Sequence, residues 1–138
     1  MVSVQFFIAL MAQEVRRDGT MTSAELRERT RRFAVAVALA MKPLRSRPSA
    51  GHAADQAARA SASVAANYRA TCIAQSRAAF IAKLAVVLEE ADETVYWLGY
   101  LEDVEGPAES LAASLQEARE LSRIFGASRR TAKRQRPR

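Results

Sequence analysis

Four stretches of the sequence repeat apolar residues at intervals of three and four positions, and short segments with proline, glycine or serine separate them. This spacing places the apolar side chains on one face of an α-helix, which has about 3.6 residues per turn. No competing strand pattern is present, and alanine, the best helix former, occurs 29 times in 138 residues. The sequence therefore predicts one all-α domain, an antiparallel four-helix bundle.

Capping residues and helix breakers predict the bounds of the first two helices. Thr22 and Glu25 have capping-box spacing, which predicts a helix from about Ala24. Pro43 ends this helix because its ring clashes with the preceding turn. A second helix is expected from after Ser49 to about residue 75. The predicted inward positions are Leu26, Thr30, Phe33, Val37 and Ala40 in the first helix and Ser61, Ala65, Tyr68 and Cys72 in the second.

The third helix is predicted to be the longest of the four. Ser76 is a candidate N-cap, and the helix is expected to run from Arg77 to about Val104. Gly106 then breaks the chain, and Pro107 suits the first turn of a fourth helix. The predicted inward positions are Phe80, Leu84, Val87, Ala91, Val95, Leu98 and Leu101 in the third helix and Leu111, Leu115, Ala118, Leu121 and Phe125 in the fourth.

The chain divides into three predicted regions: an N-terminal extension over residues 1–21, weakly ordered or an extra helix; the bundle over 22–128; and a basic C-terminal tail over 129–138. No basic residue precedes the mildly apolar stretch from Val2 to Ala12, so a signal peptide is not expected. The longest apolar run, Phe33 to Met41, is less than half a membrane span. A cytoplasmic protein without a membrane segment is expected.

Opposite charges are concentrated in different parts of the chain. Residues 1–88 carry a net charge of +8, residues 89–128 one of −8, and the last ten residues one of +6. A basic tail of this kind binds phosphate backbones or an acidic partner, or else keeps the protein soluble as a solvated segment. The basic tail residues are Arg129, Arg130, Lys133, Arg134, Arg136 and Arg138.

Basic residues in the first three helices are further candidates for nucleic-acid binding. If they share a face with the tail, they form a patch that attracts RNA or DNA. If they instead pair with the acidic segment 89–120, within one chain or between subunits, the patch disappears. These candidates are Arg27, Arg31, Arg69, Arg77 and Lys83.

Aromatic residues predict a contact surface between subunits. Trp97 lies one helical turn from Glu93, and such acidic neighbours disfavour stacking on nucleic-acid bases. Aromatic residues at helical spacing more commonly anchor a core or a protein interface. A second apolar strip on the third helix also favours oligomerisation, through Ile81, Leu88 and Val95. The predicted interface residues are Tyr68, Tyr96, Trp97 and Tyr100.

Catalytic and metal-binding patterns are weak. His52 and Cys72 are the only residues of their types and are not at helical contact spacing, so a histidine-activated thiol is not expected. The acids from Glu89 to Glu93 lack the histidine of di-metal bundles and are expected to pair with arginines. Neither a phosphate-binding glycine loop nor a dinucleotide motif is present. An enzyme, a metal site and a cofactor are therefore not expected.

Several stretches resemble the bacterial family of ribosomal-RNA intervening-sequence proteins. The resemblance covers about residues 24–134 and rests on Asn67-Tyr68-Arg69, Ser76-Arg77 with Phe80-Ile81, Glu89 to Glu93 with Tyr96-Trp97-Leu98, Glu117 to Phe125, and Thr131 to Lys133. It implies an up-and-down four-helix bundle that assembles as a five-fold ring. Some members are encoded inside inserts of large-subunit ribosomal RNA genes. Relatives of the family are accessory proteins of retroelements, so the resemblance also implies a reverse transcriptase and its RNA as candidate partners.

Overall fold

The computed structural model describes residues 21–135, and within this range it contains four α-helices and no strands. The helices are α1 (Ser23–Met41), α2 (Gly51–Thr71), α3 (Arg77–Glu105) and α4 (Glu109–Arg134), and a 3₁₀ helix at Lys42–Leu44 follows α1. Each helix packs against the next along the chain, and α1 contacts α4 less extensively. The predicted all-α, four-helix class is confirmed.

Successive helices run antiparallel. Arg77, the first residue of α3, contacts the last turn of α4, and His52, near the start of α2, contacts Trp97 in the second half of α3. The start of α3 and the ends of α2 and α4 therefore meet at one end of the bundle. The first half of α1 faces the end of α2, where Arg27 is near Tyr68 and Cys72, and it reaches α4 at Glu117 and Glu120.

The predicted caps of α1 and α3 are confirmed. The Thr22 amide donates to Glu25 Oε2 at 2.8 Å, and the Glu25 amide donates to Thr22 Oγ1 at 3.1 Å, which completes the capping box. Ser76 Oγ accepts from the Ala79 amide at 3.0 Å. The placement of Pro107 in α4 is wrong. The extended residue Ala108 is the N-cap, so Pro107 precedes the helix.

The core contains most of the predicted inward positions, including all five in α4. In α3 the core position is Thr94 rather than Val95, because the buried positions step by three and four residues. Thr94 Oγ1 donates to the Glu90 carbonyl at 2.7 Å, so its burial leaves no unpaired hydroxyl. Similar one-residue shifts replace Ala40, Ala65 and Cys72 by Met41, Val64 and Thr71.

The fourth helix continues past the predicted start of the tail. Residues 129–134 are helical, and Ala132 is fully buried. Burial of this alanine and hydrogen bonds from Arg77 to the last turn hold the segment on the bundle, so its charge does not unfold it. The predicted extension up to residue 20, and Arg136 and Arg138 of the tail, lie outside the described residues.

Candidate nucleic-acid interface

Basic side chains are concentrated at the end of the bundle where α1 and α3 begin and α2 and α4 end. The four helical segments there, residues 23–33, 61–71, 77–87 and 124–134, carry eleven basic residues and two acidic ones. Two further acids, Glu117 and Glu120 of α4, contact Arg29 from outside these segments. We call this region the basic end. Its basic residues are Arg27, Arg29, Arg31, Arg32, Arg69, Arg77, Lys83, Arg129, Arg130, Lys133 and Arg134.

All nine described candidates for nucleic-acid binding lie at the basic end. At 1.5 Å per residue, the farthest from the helix end is Arg31, about 12 Å along α1. Seven of the nine side chains are exposed, and those of Arg77 and Arg129 are half-buried. The antiparallel topology thus brings together basic residues that are distant in sequence.

The described ion pairs neutralise other arginines. Arg29 pairs with Glu117 and Glu120, and Arg59 and Arg47 pair with acids of α3. The predicted pairing of arginines with the acidic segment 89–120 is therefore observed for Arg29, Arg47 and Arg59. Within residues 21–135, no ion pair involves Arg27, Arg31, Arg69, Lys83, Arg129, Arg130, Lys133 or Arg134.

Arg77 holds the end of α4 in place. Its Nη2 donates to the carbonyl oxygens of Ala132, at 2.7 Å, and Lys133, at 3.4 Å. Carbonyls in the last turn of a helix lack intrahelical donors, so the guanidinium acts as a C-terminal cap. Nearby, the Nε of Arg129 is buried and has no hydrogen-bond partner in the described part of the chain. Arg77 therefore contributes mainly to the arrangement of the basic end.

An aromatic surface lies toward the other end of α3. The Trp97 ring centroid is 4.9 Å from that of Tyr96, 5.9 Å from that of Tyr100 and 5.6 Å from that of His52, and all three rings are close to perpendicular to the indole. Tyr96 is 61% exposed and Tyr100 is 41% exposed. We call these four residues the aromatic surface. It is centred about 30 Å along α3 from Arg77.

Tyr68, predicted as an interface residue, lies in the core instead. It is 7% exposed, and its ring centroid is 5.3 Å from that of Phe125. Burial raises the pKa of its hydroxyl above the usual range. Its position on the inward stripe of α2, which the spacing had predicted, decides its place.

The acidic cluster on α3 pairs with an arginine of α2. This is the arrangement that the sequence predicted in place of a metal site. Arg59 contacts Glu93 at 2.7 Å and Glu90 at 4.0 Å. Among residues 21–135, no three His, Cys, Asp or Glu side chains are grouped so that they could hold a metal ion. Cys72 is half-buried, and burial raises the pKa of its thiol. None of the described helices has the length and apolar character needed to cross a membrane.

Sequence reasoning missed Arg119 and Arg123, which line a groove between α3 and α4 with Arg130. Their spacing of four residues on an amphipathic helix is the signal that could have placed them on one face.

The model of the 23S rRNA-intervening sequence protein family matches residues 23–127, from the start of α1 into α4. Among solved structures, the chain is similar to a protein of unknown function from the S23 ribosomal protein family of Bacteroides thetaiotaomicron. The identity is 28% and the TM-score 0.70, and the alignment covers 78% of this chain and 97% of that chain. Comparison with the curated proteins finds no match.

Proposed function

The chain belongs to the 23S rRNA-intervening sequence protein family, and from this premise we propose that it is a non-enzymatic, cytoplasmic protein whose basic end binds structured RNA or DNA. The observation that supports this most is the concentration of eleven basic and two acidic side chains at one end of the bundle. Basic side chains that neutralise phosphates release counterions from the nucleic acid, and this release favours binding whatever the base sequence.

Availability of the basic side chains also supports the proposal. The eight candidates without an ion pair in the described chain keep their full charge for a phosphate backbone. Because the basic end collects side chains from all four helices, it suits a folded or double-stranded backbone better than a single extended strand. Arg136 and Arg138 extend the same charge beyond the last described residue.

The test is a titration of a labelled RNA hairpin and a labelled DNA duplex, followed by fluorescence anisotropy at several salt concentrations. We expect replacement of Arg69, Arg130 and Arg134 by alanine to weaken binding. The slope of log affinity against log salt should flatten by about 0.7–0.9 for each phosphate that the variant no longer neutralises. Alanine at Lys42, Arg45 and Arg119 makes the same charge change outside the basic end and is the control. Equal effects in the two triple variants would contradict the proposal.

We propose as a second candidate that the aromatic surface is a protein contact, either between copies of this chain or with another protein. The exposure of Tyr96 and Tyr100 beside Trp97 favours this role, because exposed aromatic clusters commonly anchor protein interfaces. The family resemblance adds a five-fold ring as the candidate assembly and a reverse transcriptase as a candidate partner. In this alternative the chain is a scaffold or accessory subunit without nucleic-acid binding of its own.

A further inference from the structure

A groove of about 810 Å³ lies between α3 and α4 and is lined in part by apolar side chains. Leu88 and Val95 of α3 and Ile124 of α4 pack on the core and remain partly exposed in the groove. Gly126 and Ala127 of α4 leave space because their side chains are small or absent. The groove is therefore a half-buried aliphatic surface.

Three arginines of α4 border this aliphatic surface. Arg119, Arg123 and Arg130 line the groove, and their spacings of four and seven residues place them in a row about 16 Å long. No ion pair involves any of the three within residues 21–135. The acid in the groove, Asp92, accepts a hydrogen bond from Ser122 Oγ at 2.9 Å. The charged lining of the groove is thus mainly basic.

We propose that this groove is a docking site for an amphipathic α-helix of a partner protein, with aliphatic residues on one face and acidic residues beside them. Aliphatic side chains at positions i, i+4 and i+7 of such a helix match an aliphatic floor. The arginine row is as long as about eleven helical residues, or three turns. Carboxylates of the docked helix would meet the arginines along this length.

The lining favours a helix over a nucleic-acid strand. Single-stranded nucleic acid is held by aromatic platforms on which bases stack, and none of the described residues that line the groove is aromatic. Charge complementarity accounts for the acidic side chains of the partner. The half-buried aliphatic surface of the groove accounts for the aliphatic side chains of the partner helix.

The probe is a labelled 15-residue helical peptide with leucines at heptad spacing and glutamates beside them, titrated into the full chain by fluorescence anisotropy. We expect binding that weakens with salt and falls at least tenfold in the variant Arg119→Glu with Arg123→Glu. Arg27→Glu with Arg31→Glu is the matched control, because these arginines also have no ion pair within residues 21–135 and are four residues apart on one helix. The control should retain the affinity of the original chain within about twofold.

A second variant tests the half-buried aliphatic surface of the groove without changing the net charge of the chain. A Cβ at Gly126 would lie 3.5 Å from Arg130 Nη1 and 3.9 Å from Leu88 Cδ1, both ordinary contacts. The helix therefore accepts a Cβ at this position. Gly126→Leu gains helix propensity, and its side chain should extend into the groove and weaken peptide binding. Circular dichroism checks that the helix content is kept.

Four results would overturn the proposal. They are equal losses of affinity in the groove and control arginine variants, undiminished binding of a peptide with lysine in place of glutamate, undiminished binding to Gly126→Leu, and no peptide binding at low salt. Displacement of the peptide by a single-stranded oligonucleotide would instead assign the groove to nucleic acid. Self-association that Gly126→Leu abolishes, without peptide binding, would assign it to a second copy of the chain.

Discussion

Arg29 of α1 holds Glu117 of α4 through two parallel hydrogen bonds, from Nε to Oε1 at 2.6 Å and from Nη2 to Oε2 at 2.9 Å. Glu120, one turn nearer the basic end, adds a contact at 3.1 Å. This arginine therefore joins the two neighbouring helices that pack least extensively against each other.

We expect Arg29→Ala to lower the free energy of unfolding by about 1–2 kcal/mol, because it removes a two-pronged ion pair whose carboxylates are partly exposed and regain some hydration. The free energy of unfolding of Arg29→Lys should lie between those of the original chain and Arg29→Ala. The lysine ammonium keeps the positive charge but cannot donate two parallel hydrogen bonds to a carboxylate. Urea unfolding measures both. Arg32→Ala, which breaks an exposed pair with Glu28, should cost no more than about 0.5 kcal/mol. Equal destabilisation at the two positions would contradict the role of the α1–α4 bridge.

Replacement of Arg77 by methionine should loosen the end of α4. The variant keeps a long side chain and removes the donor to the carbonyls of Ala132 and Lys133. Hydrogen exchange should therefore accelerate in the last turn of α4, with little change in the middle of the helix. Lys83→Met, at an exposed position, removes one charge without touching these carbonyls and is the control. Unchanged exchange at residues 131–135 in Arg77→Met would contradict the capping role.

Two glycines should respond in opposite directions to alanine. Gly99 lies inside α3, and a Cβ there would meet nothing within 4 Å. Gly99→Ala should raise the free energy of unfolding by about 0.5–1 kcal/mol through helix propensity. Gly106, at φ +82°, is in a backbone region that costs other residues about 1–3 kcal/mol, so Gly106→Ala should be destabilising. Thermal unfolding of both variants distinguishes the signs, and the same sign at both positions would contradict this account.

Glu90 should make the fold less stable as the pH rises. Burial raises its pKa above the usual range, with a contribution from Glu93, and Arg59 opposes the shift. A raised pKa in the folded state means that the stability present at acid pH is lost as the pH rises through that pKa. Glu90→Gln mimics the protonated form. The difference in Tm between the variant and the original chain should be near zero at about pH 4 and favour the variant at pH 7, since the unfolded-state pKa of a glutamate is about 4.3. A difference that does not change with pH would contradict this prediction.

The aromatic surface can be tested by its effect on assembly. If it joins copies of the chain, Tyr96→Ser with Tyr100→Ser should lower the mass measured by light scattering, because both side chains are exposed. Val35→Ser with Leu39→Ser removes two exposed apolar side chains four residues apart on α1 and should leave the mass unchanged. A normal mass in the tyrosine variant would exclude this surface as the contact between copies.

Much of the fold could be predicted from the spacing of apolar residues. Helical periodicity defines the four helices, and the hydroxyls of Thr22 and Ser76 mark two starts because they satisfy free amides. Spacing does not decide between adjacent positions such as Thr94 and Val95, since inward direction depends on how a long helix packs against its neighbours. The end of α4 was also beyond local reasoning, because Arg77, 55 residues away, holds it.

The candidate site could be predicted in part. The basic residues of the four helices are plain in the sequence, and an antiparallel topology is sufficient to bring them to one end. Which arginines are neutralised depends on contacts between helices, as the different environments of Arg29 and Arg27 show. The apolar spacing had placed Tyr68 on the inward stripe of α2, and its burial decides between this position and the interface role. The groove that Arg119, Arg123 and Arg130 line required the packed structure, because two helices form it.

The length of α3 makes the bundle a spacer. Its 29 residues extend about 43 Å, and the basic end and the aromatic surface are separated by about 30 Å of this length. At physiological ionic strength the screening length is about 8 Å, so a charge at the aromatic surface has little effect on the attraction of the basic end for a polyanion. The net charge of +6 is therefore not representative of either end of the bundle. The charges of two ligands bound at these two surfaces would interact only weakly across this distance.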